Sequence, residues 1–230
     1  VILLHGWGQS HAFWTELTKQ LSKNNSVYAL DIPGFGLSQE PQTAWSIKEY
    51  ATFLHEFVSV LNIEKPILIG HSFGGRIAAV YAANYPTEKL VLYSTSGMTH
   101  RLLVRNIERQ LVNVLRFVFP ISIYRFHSSI FKPSSYKNDI IVNRRRAKTM
   151  LAIYQNLSGL EQIYLNITVP TLLIYGKRDY IVSEAVGKSI HQLINNSQLV
   201  ILQKSTHFGH IEEMRKFYSI LEKFLKDSSL

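Results

Sequence analysis

The sequence predicts an α/β fold, in which a mostly parallel central sheet carries helices on both faces. Short apolar runs recur along the chain and are continuous rather than alternating, which is typical of strands buried on both faces. Between them lie segments whose apolar residues follow helical spacing, and strand alternating with helix is the α/β pattern. The chain has 230 residues, 46% of them hydrophobic, which is enough for one domain with a large core.

Six apolar runs are predicted to be strands, because each ends at a glycine, aspartate, serine or turn. In chain order they are Val1–Leu4, Val27–Leu30, Ile67–Ile69, Leu90–Tyr93, Leu172–Tyr175 and Leu199–Leu202. Among the segments between and after them, four have clear helical spacing: Ile47–Leu61, Arg76–Tyr85, Glu184–Leu193 and Glu213–Leu225.

The alternation of strand and helix stops between Gly97 and Thr168, where the sequence predicts helices only. Residues 98–150 hold eleven basic and two acidic residues, so the whole net charge of +9 arises there. We therefore expect a core formed by residues 1–97 and 167–230 and a helical lid, residues 98–166, inserted within the same domain. The lid is expected over the carboxyl edge of the sheet, where open α/β folds bind ligands.

Basic residues of the lid form a stripe at helical spacing, Arg101, Arg105 and Arg109, and a tract at 144–146. The first interpretation is a solvated face above an apolar underside. The second is an attraction for acidic substrates or an anionic membrane surface, but membrane contact is not the favoured interpretation. Nucleic-acid binding is not expected, because no reading motif accompanies the charge. The sequence leaves the oligomeric state open.

Several classes of protein and site are excluded by composition and spacing. Cysteine is absent, so there are no disulfides or thiolate metal sites. Apolar runs are too short to cross a bilayer, and a soluble, cytoplasmic protein is expected. Gly6-x-Gly8 and Gly34-x-Gly36 lack the third glycine of a dinucleotide fingerprint. His207 and His210 lack a third metal ligand at suitable spacing, so neither a metal nor an organic cofactor is expected.

A serine lies at the centre of Gly70–Gly74, between a predicted strand and a predicted helix. Backbone at a tight strand-to-helix turn passes close to its neighbours, so glycine is needed two residues either side of Ser72. Such a turn lifts the Ser72 hydroxyl clear of the sheet and leaves the Phe73 amide at the helix start, where an oxyanion can be stabilised. The alternative is a glycine-rich turn with an incidental serine.

A nucleophilic serine needs a base and an orienting carboxylate, because a free hydroxyl is hardly ionised near neutral pH. Asp179 follows the fifth predicted strand and His207 the sixth, at the sheet edge where Ser72 lies. Each residue also has a non-catalytic interpretation: Asp179 as a capping or surface carboxylate, and His207 as an ordinary loop histidine. His210 is a competing candidate for the base. Convergence of three strand ends favours Ser72, Asp179 and His207 as catalytic residues. His5 and His71 flank this site and are interpreted as shaping it.

The whole chain apart from the insertion resembles the α/β-hydrolase family. Four motifs carry the resemblance beside the serine turn, and the first three are the oxyanion loop His5–Gly8, the D-x-P-G-x-G-x-S turn Asp31–Ser38, and the run Tyr85–Leu92 into the family's sixth strand. In that family the residue after His-Gly supplies a backbone N–H to the oxyanion. The resemblance therefore implies an oxyanion hole formed by the backbone N–H groups of Trp7 and Phe73, beside a nucleophile elbow at Ser72.

The last motif, His207–Glu212, matches the family's H-x-x-x-x-E spacing and selects His207 over His210 as the base. Two features depart from the family pattern. Thr206 stands where glycine is usual, which affects the conformation of the loop rather than its chemistry. The family's first two strands have no counterpart here, so the N-terminal strands are expected to be missing and the strand Val27–Leu30 to be left as an exposed edge.

The resemblance implies a serine hydrolase that cleaves small to medium, largely apolar carboxylic esters through an acyl-enzyme on Ser72. Two alternatives stay open at this point. The same triad serves carbon–carbon bond hydrolases and lyases in the resembling family. A ligand receptor that kept the triad but turns over slowly is the alternative from outside the enzymes.

Overall fold

The computed structural model describes residues 1–97 and 160–227. These residues contain one six-stranded sheet in which every neighbouring pair of strands is parallel, with the order β2-β1-β3-β4-β5-β6. The strands are β1 (Ile2–Leu4), β2 (Tyr28–Leu30), β3 (Ile67–His71), β4 (Lys89–Tyr93), β5 (Thr171–Gly176) and β6 (Ser197–Leu202). The predicted fold class is confirmed, and β2 is one edge of the described sheet.

Helices connect and cover the strands. A short 3₁₀ helix (His11–Trp14) leads into α1 (Thr15–Leu21). The others are α2 (Ile47–Val60), α3 (Phe73–Asn84), α4 (Leu160–Leu165), α5 (Glu184–Leu193), α6 (Gly209–Glu212) and α7 (Met214–Lys226). Among residues 1–97 and 160–227, no helix combines the length and apolarity needed to span a membrane.

The core has two layers because successive strand side chains point to opposite faces of the sheet. In β1, Ile2 and Leu4 join the apolar layer under α2, α3 and α5, whereas Leu3 joins the layer under α1 and α7. Both layers are buried, which explains why the strands have continuous apolar sequences rather than alternating ones.

The predicted elements differ from the observed ones mainly at their ends. Helix α3 begins at Phe73 rather than Arg76, because the turn at Ser72 runs directly into the helix. The 3₁₀ helix and α1 were not predicted.

The predicted lid lies outside the described residues except for its last part, and it stays a prediction. In that last part, Leu160 and Tyr164 of α4 are buried in the core layer that also contains α3 and α5.

Candidate active site

Ser72 occupies a strained turn between β3 and α3. Its backbone has φ 50° and ψ −107°, a conformation that is costly for a residue with a side chain. The Ser72 N–H donates a hydrogen bond of 2.9 Å to the Tyr93 carbonyl oxygen, which anchors the turn to the end of β4. Strain of this kind concentrates at functional sites, because the surrounding structure must hold it in place.

Two glycines make the turn sterically feasible. A Cβ atom on Gly74 would clash with the backbone carbonyl oxygens of Leu4 and His5. A Cβ atom on Gly70 would lie 2.5 Å from the carbonyl oxygen of Gly74. The sequence predicted this requirement for glycine on both sides of Ser72, and the close approach of β1, β3 and α3 is its physical reason.

Asp179 and His207 lie together at the carboxyl edge of the sheet. The Nδ1 atom of His207 lies 2.7 Å from Oδ2 of Asp179, and the two side chains are 7% and 0% exposed. The other carboxylate oxygen, Oδ1, accepts hydrogen bonds of 2.8 Å from the N–H groups of Ile181 and Val182. Asp179 is therefore fixed by its own loop, and its contact requires the hydrogen of a neutral His207 ring to be on Nδ1. The Nε2 atom of His207 is then the basic nitrogen.

Ser72 adjoins this pair through its neighbour in the chain, His71. The rings of His71 and His207 lie 4.6 Å apart between centroids, and Nε2 of His71 lies 3.1 Å from the His207 carbonyl oxygen. The loops that follow β3, β5 and β6 thus bring all three predicted catalytic residues into one neighbourhood.

The loop after β1 lies beside the start of α3. The Trp7 and Phe73 rings pack edge to face at 5.3 Å. His5 donates from Nδ1 to the Gly6 carbonyl oxygen at 2.8 Å and accepts at Nε2 from the Ile32 N–H at 3.0 Å. The two residues predicted to form the oxyanion hole are therefore neighbours in the fold, and His5 shapes the loop as expected.

Two consecutive glutamates hold the loop that carries His207. Oε2 and Oε1 of Glu212 accept 2.6 Å hydrogen bonds from the N–H and hydroxyl of Thr206. Glu213 accepts 2.6 Å from the Ser205 hydroxyl, and this hydrogen bond is the main reason that the pKa of Glu213 is lowered. Thr206, which departs from the family pattern, supplies a hydrogen bond that glycine could not make.

His210, the competing base, has other partners. Its Nε2 atom lies 3.1 Å from the Phe13 carbonyl oxygen and its Nδ1 atom 3.2 Å from the Tyr93 hydroxyl. Its ring lies 4.1 Å from that of Phe13. Burial lowers the pKa of His210 to about 4, so the ring is neutral at pH 7. His210 therefore belongs to the packed residues beneath the site.

This pKa predicts a pH dependence of stability. The unfolded chain protonates His210 near its ordinary pKa of 6.5, but the folded chain resists protonation until about 4. Protons therefore favour the unfolded state across that window, and the stability from a neutral His210 is lost as pH falls from 6.5 towards 4. We expect unfolding free energy to fall by about 1–2 kcal/mol from this residue between pH 7 and pH 5. Buried His71, whose pKa is also lowered, adds to the loss.

Urea unfolding at a series of pH values tests this expectation. The variant His210→Asn should be less stable than the parent at pH 7, because it loses ring packing, but its stability should change less between pH 7 and pH 5. The matched control is His191→Asn, because His191 is an exposed residue of α5. An equal pH slope in the parent and His210→Asn would contradict the assignment.

Sequence reasoning missed several residues that support the site. Gln9 accepts a 2.8 Å hydrogen bond from the Gly6 N–H and lies 3.2 Å from Nδ1 of His71. Tyr93 contacts the His207 loop, and the Ser205 carbonyl oxygen of that loop accepts 2.9 Å from the N–H of Arg178, the neighbour of Asp179. The position of Tyr93 at the end of β4 was the only available signal. The basic residues of the predicted lid lie outside the described residues.

Comparison with known proteins places these features in a family. The family model for the alpha/beta hydrolase fold matches residues 1–120. A monoacylglycerol lipase, ABHD6 of Bos taurus, is 26% identical over 98% of this chain and 74% of its own length.

Solved structures agree on the fold. A membrane phospholipase A described as a bacterial virulence factor is 24% identical, with a TM-score of 0.78 over 98% of this chain and 79% of its own. MenH from S. aureus is also 24% identical, with a TM-score of 0.74 over 98% and 92% of the two chains. Because the family model matches more than half of this chain, the chain belongs to the α/β-hydrolase family and is a hydrolase of that fold.

Proposed function

We propose that this hydrolase cleaves small to medium, largely apolar carboxylic esters, with Ser72 as nucleophile, His207 as base and Asp179 as orienting carboxylate. The observation that carries the proposal is the buried 2.7 Å contact between His207 and Asp179 beside the strained Ser72 turn. If His207 were an ordinary loop histidine and Asp179 a surface carboxylate, nothing would require the two side chains to be buried in contact with each other beside Ser72.

In the proposed reaction, Ser72 Oγ attacks the ester carbonyl carbon while His207 Nε2 accepts the hydroxyl proton. Asp179 stabilises the imidazolium that results, through the hydrogen bond at Nδ1. The backbone N–H groups of Trp7 and Phe73 stabilise the oxyanion. His207 then gives its proton to the leaving alcohol, an acyl-enzyme remains on Ser72, and water activated by His207 releases the carboxylic acid.

The ester class is supported by the similarity to a monoacylglycerol lipase over nearly the whole chain. Apolar rings beside Ser72 also favour an apolar substrate. Trp7 packs against Phe35 at 4.9 Å and against Phe73 at 5.3 Å, and Phe73 packs against Tyr50 at 5.2 Å. Phe35, Phe73 and Tyr50 are buried and Trp7 is half-buried, so these apolar surroundings offer few polar partners to a charged acyl group.

A substrate panel tests the reaction class. Acetyl, butyryl, octanoyl and palmitoyl p-nitrophenyl esters are compared with a vinylogous diketone, and kcat/KM is measured for each. We expect ester hydrolysis, with higher kcat/KM for the butyryl and octanoyl esters than for the palmitoyl ester. Cleavage of the diketone with the esters left intact would contradict the proposal in favour of a carbon–carbon hydrolase. Labelling of the chain by a fluorophosphonate, without steady-state turnover of any ester, would contradict the proposal in favour of a ligand receptor.

A further inference from the structure

The backbone carbonyl oxygen of His207 accepts hydrogen bonds from two buried side chains. The Tyr93 hydroxyl lies 3.0 Å from this oxygen and Nε2 of His71 lies 3.1 Å from it. His71 and Tyr93 are opposite one another in the register of β3 and β4, at the last paired position of both strands. His71 is 1% exposed and Tyr93 is 0% exposed. Two neighbouring strand ends thus converge on one atom of the candidate base.

The protonation of His71 is compatible with this contact. Burial, with smaller effects from His207 and His210, lowers the pKa of His71 well below its ordinary value. The ring is therefore neutral and carries one hydrogen. A carbonyl oxygen can only accept, so donation to His207 puts that hydrogen on Nε2, and the 3.2 Å approach of Gln9 Oε1 to Nδ1 is then a contact without a hydrogen bond.

Tyr93 holds a second point of the same loop. Its hydroxyl accepts a hydrogen bond of 3.2 Å from the His210 N–H while it donates to the His207 carbonyl oxygen. One hydroxyl group therefore bridges two backbone groups at the junction between the His207 loop and α6. The ring is locked by packing against Phe217 at 4.9 Å and against His71 at 4.7 Å.

We propose that Tyr93 and His71 are positioning residues, which hold the candidate base by its backbone carbonyl and thereby set the distance from its ring to Asp179 and Ser72. The inference rests on the proposed role of His207. Two donors on one carbonyl oxygen fix the orientation of the peptide plane, and only three bonds join that carbonyl carbon to the imidazole ring of the same residue. A shift of about 1 Å at a catalytic group can cost about a hundredfold in rate, so a modest loosening of this peptide is expected to be visible in kcat.

The test compares two variants that each remove one buried hydroxyl. Tyr93→Phe deletes the donor to His207. Tyr175→Phe is the matched control, because Tyr175 is also 0% exposed and its hydroxyl donates 2.7 Å to another backbone carbonyl oxygen, that of Thr95. The readouts are kcat and KM with the butyryl ester, the melting temperature, and the low-field proton resonance of the His207 Nδ1–H, which reports the hydrogen bond to Asp179.

We expect Tyr93→Phe to lower kcat about tenfold, to leave KM within about twofold, and to move the Nδ1–H resonance upfield. Tyr175→Phe should lose a similar amount of thermal stability but keep kcat and the resonance. If both variants change kcat and the resonance equally, Tyr93 acts only through stability and the positioning role is wrong.

A second pair of variants covers the case in which Tyr93→Phe does not fold. His71→Leu removes the ring donor, whereas His71→Gln keeps an amide N–H near the position of Nε2. We expect His71→Gln to recover most of the kcat that His71→Leu loses, and equal loss in both would contradict the proposal. Failure of the proposed function is recognised separately, by turnover that survives Ser72→Ala. The Nδ1–H resonance then decides the positioning role alone.

Discussion

Ser72→Ala is expected to lower kcat for ester hydrolysis by about 10⁴–10⁶-fold while the protein stays folded. The variant removes the attacking oxygen, so no acyl-enzyme can form, and the remaining rate comes from the oxyanion-stabilising amides and substrate binding alone. Alanine adds no atom to the tight turn and tolerates φ 50° about as well as serine does. Initial rates with the butyryl ester and circular dichroism of the purified variant check both parts of this expectation.

Ser94→Ala is the matched control for this change. Ser94 follows β4 directly, as Ser72 follows β3, and it too has a positive φ, 42°. Its hydroxyl is buried and has no hydrogen-bond partner among the residues that the structure describes. Its loss should leave kcat within about twofold of the parent. Activity that survives Ser72→Ala but falls in Ser94→Ala would move the nucleophile to the neighbouring strand.

Asp179→Asn is expected to lower kcat about 10⁴-fold with little change in KM. The Oδ1 atom of Asp179 already accepts two backbone N–H groups, those of Ile181 and Val182. A carboxamide must keep its oxygen there, so its NH₂ group faces His207 Nδ1. Nδ1 of His207 then accepts a hydrogen bond from this NH₂ group, and the ring hydrogen moves to Nε2. A hydrogen on Nε2 blocks proton transfer from Ser72.

Nitrogen NMR of the His207 ring measures this tautomer directly. The parent should carry its hydrogen on Nδ1 and Asp179→Asn on Nε2. Glu184→Gln is the control, because Glu184 begins the helix after the same loop and pairs with Lys177 and Lys188 at the surface. Near-parental kcat in Asp179→Asn, or an unchanged tautomer, would remove Asp179 from the proposed triad.

The strands and the three candidate catalytic positions could be predicted because their signals are local. Continuous apolar runs reveal strands buried on both faces, and Gly70 and Gly74 reveal a turn that excludes Cβ atoms. Asp179 and His207 each follow such a strand. Parallel strands place these ends at one edge, so the topology converts three local signals into one neighbourhood.

The contacts that hold the candidate base in place had no local signal. Tyr93 looks like any buried aromatic residue at the end of a strand, and its contact with His207 joins residues 114 apart in sequence. The paired interactions of Thr206 with Glu212 also depend on how α6 folds back. Such contacts follow from packing between distant loops, and periodicity and motif spacing carry no information about it.

The identity of the nucleophile is tested by locating the adduct of a fluorophosphonate on the folded chain by peptide mass spectrometry. The assignment of Ser72 as nucleophile predicts one adduct per chain, on Ser72, and no labelling of Ser72→Ala. An adduct on another serine, or an unlabelled chain that still hydrolyses esters, would contradict it.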